Sequence, residues 1–289
     1  MDPVNVANLA AAGVLTGLVY ALMALGLSVI FGVVRIVNFA HGEMMTIAMY
    51  ATVVLFAALG LDPFLAIVPV AVAFFVFGYA LQTALINPFI TRPEHSQFLL
   101  LVAVAIVMVN ALLMIFGPSA RNVQLDYLLE SVELGPLLLD RGKLYAAVVA
   151  CATSGLLFAF FKFTRIGTAI RACADNYVGA RVVGLNVKRY YAFTFGLGAA
   201  CVAVAGCMMC FLVDVTPVLG PAYTLLAFVI VIVGGLGSMG GALLGGVLIG
   251  TSEALAGLFI APSAKSMVSF ALLILVLLLR PQGLLGRKP

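Results

Sequence analysis

Apolar runs about as long as a bilayer is thick recur almost from one end of this chain to the other, and no other feature constrains its fold as tightly. A helix crossing the hydrocarbon core needs roughly 20 apolar residues, within a range of about 17 to 25. On that ruler candidate spans lie near residues 8–31, 44–60, 64–86, 98–117, 143–162, 190–213, 221–235, 241–260 and 265–280. Of 289 residues, 64% are hydrophobic and 9% charged, against roughly 25% charged in a soluble domain. The sequence therefore reads as an all-α, polytopic transmembrane helical bundle of about eight or nine spans, forming one domain over residues 1–289. The runs near 221–235 and 265–280 are short, and a re-entrant pair there lowers the count without altering sidedness.

One long polar stretch interrupts the apolar pattern. Residues 162–189 hold Lys162, Arg165, Arg171, Arg181, Lys188 and Arg189 against a single acid, Asp175. Basic loops between spans stay in the cytoplasm, which places the loop 163–189 inside. Walking outward from it, 118–142 lies outside, where Asp126, Glu130, Glu133 and Asp140 outnumber Arg121 and Arg141. The segment 87–97 and the Arg35 region then lie inside, and 61–63 and 214–220 outside. The amino terminus faces out and the tail with Arg280, Arg287 and Lys288 faces in, so the number of crossings is odd. MDPVNVANLA has no basic n-region or cleavage-like site, so the first run reads as a retained span. The net charge of +4 orients the chain against lipid and does not imply nucleic acid.

Within the basic loop, Ile166, Ile170, Cys173, Ala174 and Tyr177 share one helical face and Thr168, Arg171 and Asp175 the other. The pattern predicts an amphipathic surface helix over 166–177 on which a partner docks. Ile166, Ile170 and Cys173 are expected to pack on the chain's own helices, leaving Arg171 and Asp175 outward.

With the fifth span as a pivot, spans one to four run opposite to spans six to nine, the arrangement of an inverted repeat with broken helices. Each half is interrupted after its first span, at 32–43 and at 214–220. The first interruption contains RIVNFAHGEMM, whose Asn38, His41, Gly42 and Glu43 are candidates for a translocation path or gate, because ionisable groups at membrane depth face protein or a water-filled cavity. A structural reading stands beside it: Asn38 caps the next helix, Gly42 permits close backbone approach, and Glu43 favours that helix's positive end. Asp214, in an outside turn, and Glu253, within an apolar run, are further pathway candidates. VGGLGSMGGALLGGVLIG carries Gly234, Gly235, Gly237, Gly241 and Gly245, read as helix packing with a break near 234–241. It has no GxxxxGK[ST], so no nucleotide loop is read there. Cys151, Cys173, Cys201, Cys207 and Cys210 lie in apolar or cytoplasmic segments and read as packing residues. No metal site and no covalent chemistry are expected.

Several strings together resemble the permease family of the branched-chain amino-acid ABC importers: GLVYALMALGLSVIFGVVRIVNFAHGEMM, TRIGTAIRACADNYVGARVVGLNVKRYYAF, GGLGSMGGALLGG and the terminal RPQGLLG. The resemblance implies an architecture similar to type II importers, with a cytoplasmic coupling helix seated in a groove of a separate ATPase. That role falls on 165–184, with Arg165, Arg171, Asp175, Asn176 and Gly184 as the coupling residues. It also implies a second related permease, two ATP-binding subunits that hold ATP and magnesium, a periplasmic substrate-binding protein, and a place in the inner membrane. The chain itself then binds no cofactor and is no enzyme. The implied cargo is leucine, isoleucine and valine, with urea, short amides or other amino acids carried by close relatives.

Overall fold

The computed structural model describes residues 3–125, 127, 130–135 and 137–286. Every apolar run forms a helix. In chain order the helices are α1 (Pro3–Val34), α2 (His41–Leu59), α3 (Pro63–Leu81), α4 (Glu94–Phe116), α5 (Arg141–Phe163), α6 (Arg165–Asp175), α7 (Tyr177–Val182), α8 (Val187–Met209), α9 (Gly220–Gly234), α10 (Met239–Phe259) and α11 (Lys265–Leu279). Among the described residues seven helices are long and apolar enough to cross a membrane; α9 and α11, of 15 residues each, are shorter. One departure from an all-helical chain is a small hairpin, β1 (Ser131–Leu134) with β2 (Leu137–Asp140), paired in register from Ser131 opposite Asp140 to Leu134 opposite Leu137. Gly135, at φ +65°, makes its turn. The charges that mark this loop in the sequence carry no strand period.

Helix starts follow local chemistry. Asp62 accepts from the Phe64 N–H at 2.9 Å ahead of Pro63, Asp140 from Lys143 at 2.9 Å, and Ser238 from Gly241 at 3.1 Å. The end of α1 falls on Arg35, whose φ of +59° is unusual for a residue with a Cβ.

The core is built around α1 and α8, whose middle turns are almost wholly buried. They cross at glycines: a Cβ on Gly26 would stand 2.7 Å from the Gly198 carbonyl, and one on Gly198 2.8 Å from that of Gly26. About this crossing the packing is reciprocal. The most extensive contacts are α1 on α10 and α3 on α8, which exchange if α1, α2 and α3 are paired with α8, α9 and α10. The contacts of α2 with α8 and of α9 with α1 exchange likewise, while α5 touches both central helices. The symmetry is incomplete, since α10 packs on α11 more closely than α3 does on α4.

The two ends of the bundle separate by charge. At one end Asn8 accepts from Leu138 N–H, the Tyr127 hydroxyl donates to Asp62, and Arg121 pairs through its backbone with Val215. The segments read as lying on one side therefore meet there; Asp126, part of that reading, lies outside the described residues. At the other end Asn87 donates to the Lys188 carbonyl and Gly32 meets Gly237. This basic end carries Arg35, Arg92, Lys162, Arg165, Arg171, Arg181, Lys188, Arg189 and Arg280. Arg287 and Lys288 lie outside the described residues.

Candidate functional site: a sealed helix crossing and an exposed basic surface

The NFAHGE segment does not form a surface turn. After Arg35 the chain turns back into the bundle, and His41 begins α2 beside Met23, about 16 Å back along α1 from its end. The second interruption does the same from the opposite end: residues 210–219 reach the Arg121 bridge and return to Gly220, where α9 begins. The starts of α2 and α9 consequently meet inside the bundle. Gly42 lies so close to the Gly220 carbonyl that any Cβ there would overlap it, and a Cβ on Gly220 would stand 2.9 Å from the Glu43 side chain.

One hydroxyl joins the two broken segments. Thr224 Oγ1 accepts from the Gly42 N–H at 2.8 Å and donates to Glu43 Oε2 at 3.0 Å. Glu43 is 3% exposed, and among the described residues no cation stands within ion-pair distance of it. Its Oε2 is met by this hydroxyl, and the side chain sits in the first turn of α2, at that helix's positive end. The His41 imidazole is fully buried and donates from Nε2 to the Met23 carbonyl at 2.9 Å, because a carbonyl can only accept. His41 Nδ1 and the buried Ser28 hydroxyl have no hydrogen-bond partner among the described residues. Asn38, also fully buried, accepts from the Ala40 N–H at 3.1 Å. It closes a local turn and does not cap α2, whose N-cap position is Ala40; the expectation of an Asn38 cap is corrected, because its two-residue bond occupies the oxygen. Four of the pathway candidates, Asn38, His41, Gly42 and Glu43, thus lie sealed together. Thr224 was not singled out from sequence, where it appears only as a threonine in an apolar run.

The other candidates stand apart. Glu253, half-buried on α10, accepts from the Ser269 hydroxyl of α11 at 2.6 Å. Asp214 is exposed in the turn before Val215. The glycine-rich segment breaks between α9 and α10, with Gly235 and Gly237 at φ +111° and +75°. Gly234 and Gly241 are in backbone contact, and a Cβ on Gly245 would stand 2.6 Å from the Ile230 carbonyl. Gly237 therefore does not share a helical face with Gly241 and Gly245: it lies in the turn, where the backbone needs a left-handed residue. The RPQGLLG tail folds onto this break, with Leu284 and Leu285 N–H donating to the Val233 and Gly234 carbonyls at 2.9 and 2.8 Å. It satisfies the free carbonyls at the end of α9. Cys207 accepts from Thr52 at 3.1 Å and Cys210 is buried against Met49. Among the described residues no group of three or more His, Cys, Asp and Glu is placed to hold a metal ion.

At the basic end, the amphipathic segment is two helices. Thr164 caps α6 through Gly167 N–H at 2.9 Å; Asn176 caps α7 through Gly179 N–H at 2.9 Å; Asn186 caps α8 through Arg189 N–H at 3.2 Å. The predicted single helix over 166–177 is corrected accordingly: Asn176, at φ −148°, ends α6 and spends its side-chain oxygen on starting α7. Gly184, at φ +88°, closes the segment. The inward face is Gly167, Ile170 and Cys173, with Gly167 against the Phe160 and Phe161 backbone of α5. Burial pushes the Cys173 thiol up from its ordinary pKa. Ile166, expected to pack inward, is 42% exposed, because Gly167 sets the contact with α5 and rotates Ile166 away. Arg165, Arg171 and Asp175 are exposed. Beside them α7 presents Val178 and Val182 to solvent, Val182 at 82% exposure, and Val183 follows exposed at its C-cap. The sequence reading missed these valines, since only a helix boundary at Asn176 puts them on a separate outward face.

Residues 9–277 match the family model described as branched-chain amino acid transport system / permease component. Among curated proteins, the chain is 32% identical to the high-affinity branched-chain amino acid transport system permease protein LivH of Salmonella typhimurium and 31% identical to LivH of Escherichia coli strain K12. In both cases the match covers 95% of this chain and 94% of the relative. It is 30% identical, with the same coverage, to the corresponding permease protein BraD of Pseudomonas aeruginosa. The match takes in both interrupted helices, the α6–α7 segment and the glycine break, and the chain belongs to the family of branched-chain amino acid transport system permease components.

Proposed function

We propose that this chain is the membrane-spanning subunit of an ATP-driven importer that moves leucine, isoleucine and valine inward. In this reading a periplasmic binding protein delivers the cargo, a second related permease completes the pathway, and two separate ATPase subunits hold ATP and magnesium. The chain lies in the inner membrane with its basic end in the cytoplasm, its amino terminus outside and its carboxyl terminus inside, as the distribution of Lys and Arg favours. The observation that carries the proposal is the α6–α7 surface. It is anchored through Ile170 and Cys173, yet it presents Val178, Val182 and Val183 beside Arg165 and Arg171 outside every candidate span. An apolar patch with a basic rim suits docking into a groove of a soluble partner.

Movement of α6–α7 reaches α1, α5 and α8, which α6 touches. The α2–α9 crossing, sealed by Gly42, Gly220, Thr224 and Glu43, acts as the gate that this movement opens, by alternating access. The test is uptake of labelled leucine, isoleucine and valine into proteoliposomes holding this chain with the subunits that co-purify with it from native membranes. ATP-dependent uptake that requires an added binding protein is expected. Uptake by this chain alone, driven by an ion gradient, would overturn the proposal.

A further inference from the structure

We propose that the cleft between the end of α3 and the start of α8 holds the headgroup of an anionic phospholipid, whose acyl chains lie along the outward face of α3. The cleft has a volume of about 580 Å³ and is lined by Tyr79, Thr83, Asn87, Asn186, Lys188 and Arg189. No acid lines it, and among the described residues neither Lys188 nor Arg189 makes an ion pair. Its walls are fixed: Gln82 donates to Asn87 at 3.1 Å, and Asn87 donates to the Lys188 carbonyl at 3.4 Å. A short π-helix, Gln82–Ile86, widens the α3 wall.

The shape outside the cleft selects the ligand. Val68, Val72 and Val76 recur every fourth residue on α3, are 67%, 59% and 59% exposed, and form one outward stripe. Continuing that stripe along the helix leads to Tyr79 and Thr83, and so into the cleft. An apolar track ending in two cations, with a tyrosine at the junction, matches an amphiphile with a negative head at the membrane boundary. A free phosphate would use the cleft and leave the stripe without a role. Because Asn186 and Lys188 directly follow the segment closed by Gly184, a lipid bound here fixes the point where α6–α7 joins α8.

The test of this site needs neither the cargo nor ATP coupling. The full chain, purified with native lipid and exchanged into nanodiscs containing either phosphatidylglycerol or phosphatidylcholine, is released from the discs and examined by native mass spectrometry. Wild type is expected to retain phosphatidylglycerol and not phosphatidylcholine, and added inorganic phosphate is expected not to displace it. The double variant Lys188→Ala/Arg189→Ala should bind about thirtyfold more weakly, from roughly 1 kcal/mol per basic residue near the membrane surface. Thr83→Phe, which fills the cleft without changing charge, should also lose the lipid, while Arg92→Ala at the same end should keep it. If the double variant fails to fold, Thr83→Phe decides alone. Undiminished phosphatidylglycerol retention in Thr83→Phe, equal retention of phosphatidylcholine, or displacement by phosphate would each overturn the proposal.

Discussion

The α2–α9 crossing and the α6–α7 surface are both polar interruptions in an apolar chain, and they use their polar groups in opposite ways. At the crossing the polar side chains are turned inward: Glu43 and the Gly42 N–H are met by Thr224, and His41 Nε2 by the Met23 carbonyl. On α6–α7 the polar groups of Thr164 and Asn176 are spent on caps, while the charged side chains and the α7 valines face out. The contrast follows from solvent. Inside a bilayer an unpaired polar group costs roughly several kcal/mol, so internal partners are strongly favoured. At the aqueous end the same groups are hydrated without help, and apolar exposure becomes the unusual feature.

The comparison can be broken at several points, beginning with the most severe. Gly42→Val forces a side chain into the Gly220 carbonyl. Overpacking of about 1–3 kcal/mol or more, applied where two backbones touch, is expected to remove folded protein, read as loss of the monodisperse species on size-exclusion chromatography. Val182→Asp, on the exposed surface, should leave thermal unfolding unchanged and reduce ATP-dependent uptake by tenfold or more, roughly the loss of one buried anchor at an interface. Equal uptake in this variant would remove α7 from the docking surface.

Thr224→Val keeps the shape of the side chain but deprives Glu43 of its donor and Gly42 N–H of its acceptor. The expected cost is about 1–3 kcal/mol, and Thr224→Ser should restore most of it in a thermal-shift measurement. Asn176→Ala removes the α7 cap at about 1 kcal/mol. Its effect should appear as faster amide exchange in 177–182 with the spans unaffected, and Asn176→Asp should rescue it. The smallest effect concerns Cys173. Cys173 is 1% exposed, and burial raises its thiol pKa, so less thiolate is present at pH 8 than in an ordinary cysteine. Alkylation of Cys173 should therefore be slow in the resting protein and accelerate when α6 lifts from α5, which makes it a native reporter of coupling.

The legibility of these two regions in sequence differed for physical reasons. The nine apolar runs were legible as helices because the bilayer imposes a length, and period and composition are local properties. The inward face of α6 was half legible: Ile170 and Cys173 follow the period, but Ile166 is displaced because Gly167 makes the closest approach to α5. The break at Asn176 was missed because an asparagine fits the polar face of a continuous helix as well as it fits a cap.

At the crossing, Asn38, His41, Gly42 and Glu43 stood out by type alone, since such residues are rare between apolar runs. The partner of Gly42 and Glu43, Thr224, lies 181 residues away from Glu43, and no local pattern marks it. Whether Gly237 belonged with Gly241 or with a turn also depended on contacts with Gly32, in another helix.

By itself the sequence determined that this chain is a helical membrane protein, where its segments begin and end to within a few residues, and which end is basic. Those properties arise from transfer of each segment between water and lipid, and each segment carries its own share. Only the tertiary structure decided that the two interruptions dip into the bundle and meet, that Gly42 lies on Gly220, and that the α7 valines face outward. Those outcomes rest on close contacts between residues far apart in the chain, where a single missing Cβ or one shared hydroxyl sets the geometry.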